Sequence, residues 1–250
     1  MEFYSQWSSN SCSRRIEIAV QQALEEICRD SFEDDLTSTR PLIMTYYPLH
    51  RPVHNEAPME FMEVDENPNY VFAPGNSEKN ILVSWEPAPS PFVKVNTDGA
   101  SKGNPGPSAC GGVFRLPFGT FLGAFSLSLG IQTSYYAELM AVFQAADIAE
   151  TESWSHLWIE SDSTYVINGI QKKHIDAPAQ LKNRWNIFLQ QMEFMKIKCS
   201  HILREGNKVA DALANLGLKY QGLQLWDNPP EEIRKLLLDD ACGHPNFRNS

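Results

Sequence analysis

Four acidic side chains in the middle of this 250-residue chain have the placement that chemistry needs: Asp98, Glu138, Asp162 and Asp211. Asp98 ends a strand-like run that begins at Phe92. Glu138 lies in the opening of a strongly helical stretch, Tyr135 to Glu150. Asp162 follows a short apolar strand, His156 to Glu160. Asp211 lies near the start of a final helical stretch, Lys208 to Leu218. Strand ends of α/β sheets are where ligand sites form. Four carboxylates delivered by four elements, if they converge, make an all-oxygen site suited to a hard divalent cation such as Mg²⁺. Taken singly, each has a plain structural reading as well: an aspartate at a strand end is a turn residue, and a glutamate early in a helix complements its dipole. Convergence separates the two readings.

The elements that must position these residues follow from periodicity and breakers. After the strand from Phe92 comes a turn rich in glycine and proline, Gly99 to Pro107. Two strands then form a hairpin, Ala109–Arg115 and Thr120–Ser128, joined through Pro117-Phe118-Gly119. The Tyr135–Glu150 helix and the His156–Glu160 strand follow, then helices Ser163–Lys172 and Leu181–Phe194. The second of these carries Leu181, Trp185, Phe188, Leu189 and Met192 on one face. A last strand, Lys196–Leu203, precedes the last helix. Three strands and then alternating helices and strands predict an α/β domain over residues 92–220. Its five-stranded mixed sheet has an antiparallel three-strand meander and two parallel strands, flanked by helices.

The flanks differ in texture. Residues 1–91 combine an amphipathic helix, Ser11–Phe32 with Ser13 as its N-cap, and a proline-rich acidic segment from Thr37 that is expected to have little structure of its own. Within it, Ile81 to Trp85 is expected to dock on the next domain. Residues 221–250 read as a tail with a short helix, Glu231 to Leu238. The net charge of −10 at first argues against a nucleic-acid partner. Its distribution reverses that: residues 1–91 hold 6 basic and 15 acidic residues, whereas residues 92–220 hold 12 and 11. Five widely spaced cysteines, with no Cys-x-x-Cys pair, indicate neither a disulfide framework nor a zinc site. No apolar run has the length of a membrane span, and the first residues lack the pattern of a secretory signal. An intracellular location, nuclear or cytoplasmic, is expected.

The glycine-rich turn excludes one nucleotide-binding reading. A P-loop or dinucleotide fingerprint opens a helix, and here prolines and a strand follow. Instead, Asn96-Thr97-Asp98-Gly99-Ala100-Ser101-Lys102-Gly103-Asn104-Pro105-Gly106-Pro107, with Gly111-Gly112 after it, resembles the opening motif of the type 1 ribonuclease H family. Ala137-Glu138-Leu139, Glu160-Ser161-Asp162-Ser163 and Arg204-Glu205-Gly206-Asn207-Lys208-Val209-Ala210-Asp211-Ala212-Leu213-Ala214 resemble its second, third and fourth motifs, in order. The likeness is strongest to the reverse-transcriptase-associated ribonuclease H-like domains of plant non-LTR retroelements. Trp85–Pro91 and Trp226–Pro230 are similar to the flanks of that group.

The resemblance implies a ribonuclease H-like fold and an endonuclease that hydrolyses the RNA strand of RNA–DNA hybrids by a two-metal-ion mechanism, leaving a 5′-phosphate and a 3′-hydroxyl. Two Mg²⁺ ions, with Mn²⁺ as a substitute, are implied. On this resemblance Asp98 would bridge both, Asp211 would help bind the ion that activates water, and Glu138 and Asp162 would help bind the ion at the leaving oxygen. By motif position Ser101, Asn104 and Thr164 are candidates for contacts to the 2′-hydroxyl, and Thr133 for a DNA phosphate. Lys182 and Arg184 are the basic groups expected to reach the backbone. The expected partner is the hybrid alone, with no membrane and no small-molecule cofactor, and the chain is expected to be a monomer. The chain departs from the family in three places. The basic protrusion between the second and third helices is reduced to Lys173–Ala179. The loop before Asp211 has no histidine. Tyr135 and Tyr136 replace more polar residues. These losses predict weak, salt-dependent binding and leave the alternative of a catalytically weak or inactive nucleic-acid-binding relic.

Overall fold

Apolar residues at alternate positions of the central strands, and a long helix with a broad apolar face, dictate a sheet with a helix laid across it. The computed structural model describes residues 70–72 and 81–248. The helix expected at Ser11–Phe32 and most of the proline-rich segment lie outside the described residues. The strands are β1 (Tyr70–Phe72), β2 (Ile81–Val83), β3 (Val93–Ser101), β4 (Gly106–Arg115), β5 (Phe121–Gln132), β6 (His156–Ser161), β7 (Lys196–His201), β8 (Leu223–Trp226) and β9 (Asn246–Arg248). The helices are α1 (Ser134–Thr151), α2 (Thr164–Gln171), α3 (Lys182–Phe194), α4 (Lys208–Gly217) and α5 (Glu231–Ala241). No helix among the described residues is long and apolar enough to cross a membrane.

The main sheet has the order β7-β6-β3-β4-β5-β8. β3, β4 and β5 form the antiparallel meander, and β6 and β7 add in parallel beside β3. The sheet is therefore mixed, as expected, but has six strands rather than five. β8, from the segment read as a tail, pairs antiparallel with β5 from Ala124↔Trp226 to Leu127↔Leu223.

Both faces of the sheet are covered. Cys110 and Phe114 of β4 pack with Leu139, Val142, Phe143 and Ala146 of α1. Val113 between them faces the other way, into a cluster with Ala124, Val209 and Leu213 of α4 and Ile233 of α5. Glycine permits the closest approaches. A Cβ on Gly99 would lie 2.3 Å from the Glu138 backbone nitrogen, and one on Gly111 would lie 2.5 Å from that of Ala214. These two residues seat α1 and α4 directly on the strands. A second, three-stranded sheet has the order β1-β2-β9. Val83 of β2 and Trp85 after it are buried with Ile202, which joins β7 to the loop before α4, so the Ile81–Trp85 segment docks on the domain.

Candidate metal centre and nucleic-acid interface

Register delivers the carboxylates to one end of the sheet. Thr97 is paired with Ser161 across the parallel β3–β6 ladder, so Asp98, which lies inside β3 rather than at its end because the pairing with β4 continues to Ser101, stands beside Asp162, the first residue past β6. Gly99 lets the first turns of α1 press against β3. This brings Glu138, the fifth residue of the helix rather than a member of its first turn, over Asp98. Asp98, Glu138 and Asp162 each place an oxygen within 4.8 Å of the other two.

Such crowding has an electrostatic cost. Burial pushes the Asp98 carboxyl well above the usual carboxylate range, and the nearby charges of Asp162 and Asp211 add to this. Glu138 is raised by burial and by Asp98 and Asp162, and Asp162 is raised chiefly by burial. One carboxylate oxygen of Glu138, Oε2, is buried with no hydrogen-bond partner. Like charges gathered in low dielectric favour the neutral forms unless a cation intervenes. An unpartnered buried acceptor beside two further carboxylates matches the oxygen set that Mg²⁺ or Mn²⁺ requires. The residues present fit a divalent cation.

Asp211 stands outside this trio, in the first turn of α4. Its carboxylate accepts from Arg204 Nη2 at 3.3 Å, and its side chain is 36% exposed. Its charge still reaches Asp98 and Asp162, so it lies at the rim of the same site.

The candidates for substrate contact fall into two groups. In the first group, Ser101 ends β3, and its hydroxyl faces the carbonyls of Gly103 and, at 2.9 Å, Gln132. Asn104 is exposed in the turn, and its Oδ1 accepts from the Ser134 backbone N–H at 3.1 Å. Thr133 is the N-cap of α1, and its Oγ1 accepts from the Tyr136 N–H at 3.1 Å. Thr164 is the exposed first residue of α2. Lys182 and Arg184 form the second group, on α3. Lys182 is exposed, whereas Arg184 is ion-paired with Asp147 of α1. Asp147 lies nine residues, roughly 13 Å of helix, beyond Glu138. Arg184 is thus tied to the body of the domain.

Sequence reasoning gave no role to the polar residues beneath the site. Asn207 donates from Nδ2 to Asp162 Oδ1 at 3.1 Å and to the Thr97 carbonyl at 3.0 Å. Glu160 is fully buried and paired with Lys94 at 2.8 Å, and its other oxygen accepts from Ser200 Oγ at 3.0 Å. The available signals were the position of Asn207 four residues before Asp211, one helical turn away, and the alternation that puts Lys94, Asn96 and Asp98 on one side of β3.

Residues 96–217 match the family described as reverse transcriptase-like. The chain is 34% identical over 167 residues to a protein of Arabidopsis thaliana named as a ribonuclease H protein. That match covers 65% of this chain but 26% of the plant protein, so the chain spans about a quarter of that relative's length. It is 31% identical over 140 residues to the ribonuclease H of Chromohalobacter salexigens, covering 50% of this chain and 83% of the bacterial enzyme. Among solved structures, RNase H1 of Halobacterium salinarum aligns with 27% identity and a TM-score of 0.48, over 51% of this chain and 98% of that one. The chain belongs to the ribonuclease H family.

Proposed function

We propose that this chain is an endonuclease that hydrolyses the RNA strand of RNA–DNA hybrids, using two divalent cations held by Asp98, Glu138, Asp162 and Asp211. The observation that carries this reading is the trio of carboxylates within 4.8 Å, Asp98 buried and Glu138 and Asp162 half-buried, with the buried Glu138 Oε2 lacking a hydrogen-bond partner. Divalent cations bound there supply Lewis acidity and lower the pKa of coordinated water. The chain's own residues do the rest. Asp98 forms the buried floor of the site, Glu138 closes it from the side of α1, and Asn207 holds the Asp162 carboxylate in one rotation. Ser101, Asn104 and Thr164 are the groups proposed to meet the 2′-hydroxyls that distinguish RNA from DNA, and Thr133 a phosphate of the DNA strand. The proposed setting is intracellular.

The test is cleavage of a labelled RNA–DNA hybrid in Mg²⁺ and in Mn²⁺, beside single-stranded and double-stranded RNA. Hybrid-specific, cation-dependent cleavage is expected. Equal cleavage of all three substrates, or cleavage that survives chelation, counts against the reading. A second reading, hybrid binding without turnover, is favoured by one observation: Arg204 Nη2 contacts one oxygen of the Asp211 carboxylate at 3.3 Å, where it would compete with a cation. Hybrid retained by the protein but uncut with either metal selects that alternative.

A further inference from the structure

Asn96 lies two residues before Asp98 on β3 and is fully buried. Its Oδ1 accepts from Trp85 Nε1 at 2.8 Å and from Arg115 Nη2 at 2.7 Å. Its Nδ2 donates to Glu160 Oε2 at 3.0 Å and to Asn207 Oδ1 at 3.2 Å. An indole N–H and a guanidinium only donate, so the Asn96 amide has a single orientation, with oxygen toward Trp85 and Arg115 and nitrogen toward Glu160 and Asn207. That choice sets the next one. Asn207 must turn its oxygen to Asn96, which leaves its nitrogen for the Thr97 carbonyl and Asp162 Oδ1. Donor polarity therefore runs one way, from Arg115 and Trp85 through two amides to Asp162. Its two sources are anchored outside residues 96–217 or bonded there: Trp85 belongs to the lead-in, and Arg115 is ion-paired with Asp240 of α5.

We infer that Asn96 is a positioning residue of the carboxylate centre, fixing the rotation of Asp162 through Asn207. The flanking Trp85 and Asp240 thereby help to prepare the site. This rests on the reading of Asp162 as a cation ligand. Hydrogen-bond partners behind metal ligands change metal affinity by about 10–100-fold when removed, so the relay is visible in binding as well as in turnover.

The experiment uses the full chain and calorimetric titration with Mn²⁺. Asn96→Asp keeps the shape and the acceptor for Trp85 and Arg115 but replaces the donor with a second acceptor, so Asn207 must rotate its oxygen toward Asp162. Mn²⁺ affinity is expected to fall about 10-fold or more in Asn96→Asp and in Asn207→Ala. The double variant is expected to be no weaker than Asn207→Ala alone, because both act along one path. Equal losses from Asn96→Asp in both backgrounds, or a lowered Tm with unchanged Mn²⁺ affinity, overturn the inference. Asp98→Asn is titrated in parallel: binding lost there but intact in Asn96→Asp sinks the relay and keeps the metal site, while no binding to the unmodified chain sinks the metal site itself. The side-chain amide ¹⁵N signal of Asn207 decides the relay without metal, or where Asn96→Asp does not fold. It is expected to shift in Trp85→Phe, which removes one donor from Asn96, and an unmoved signal overturns the inference.

Discussion

Arg115 on β4 and Asp240 on α5 form an ion pair of 2.6 Å in which the two side chains are 1% and 9% exposed. The C-terminal helix is therefore bonded to the centre of the sheet. The guanidinium also lies 3.4 Å from the centroid of the Trp85 ring, its Nε has no hydrogen-bond partner, and Asp240 is the carboxylate ion-paired with it. Breaking a buried pair by removing one member leaves an uncompensated charge, at a cost of about 3–5 kcal/mol. Asp240→Ala is expected to lower stability by that amount, read as a shift of the urea midpoint at constant slope. Asp240→Asn, which retains an acceptor, is expected to lose less. An unshifted midpoint for Asp240→Ala shows that the pair contributes nothing.

Gly99→Ala is expected to damage activity more than its single methyl group suggests. The added Cβ meets only the backbone of α1, at Glu138 N (2.3 Å), Ala137 C (2.5 Å) and Glu138 Cα (2.9 Å), so no side chain can yield and α1 must move off β3. Overpacking of this kind costs about 1–3 kcal/mol. The displaced helix carries Glu138 away from Asp98, and a misplacement of about 1 Å costs roughly 100-fold in rate. The check is kcat alongside Tm. Native kcat in a variant that is only destabilised means that the Asp98–Glu138 spacing does not govern turnover.

The raised carboxyls predict a stability profile. Burial, Asp162 and Asp211 push Asp98 upward, and burial, Asp98 and Asp162 push Glu138 upward. A carboxyl raised in the folded state keeps its proton where the unfolded chain has released it. Its contribution is whole below the unfolded value of about 4 and is lost as pH rises through the folded value. Asp98→Asn removes that liability. In chelator, its Tm is expected to exceed that of the native chain by a margin that grows as pH rises above the usual carboxylate range. Mg²⁺ is expected to raise the native Tm more at the higher pH and to leave the variant nearly unmoved, while hybrid cleavage by the variant falls at least about 100-fold. A margin that shrinks with pH reverses the sign of the argument.

The elements around the site were legible because their patterns are strong. The alternation of β3, the long apolar α1 and the four acidic motifs each fall on the element expected for them. β8 was not legible: Leu223-Gln224-Leu225-Trp226 is four residues long and only half-buried, too short and too open for period-two patterning to separate it from coil. The network beneath Asp162 was hidden for a different reason. Lys94, Asn96, Arg115 and Glu160 alternate with apolar residues, as the solvent side of a half-buried sheet would. Here Trp85, α4 and α5 cover that side, so the same alternation encodes a buried polar layer. Sequence patterning reports that two faces differ, and the packing partner decides whether the polar one is wet.

Lys182 and Arg184 looked equivalent in the sequence, both basic and both at the start of one helix, but their surroundings assign them different work. Lys182 is exposed and available to a phosphate. Arg184 is paired with Asp147, the two side chains being 30% and 23% exposed, and lies over the Phe143 ring at 5.9 Å. Each phosphate neutralised by a basic group contributes about 0.9 to the slope of log affinity against log salt. Lys182→Ala is expected to lower that slope by about one and to weaken hybrid binding at low salt, with Tm unchanged. Arg184→Ala is expected to leave the slope alone and to lower stability by about 0.2–1 kcal/mol, the range for a partly exposed pair. Titrations of both variants at several salt concentrations, beside thermal melts, separate the two residues. A slope lost in Arg184→Ala means that the arginine leaves Asp147 to meet nucleic acid, and a slope unchanged in Lys182→Ala places the hybrid away from α3 altogether.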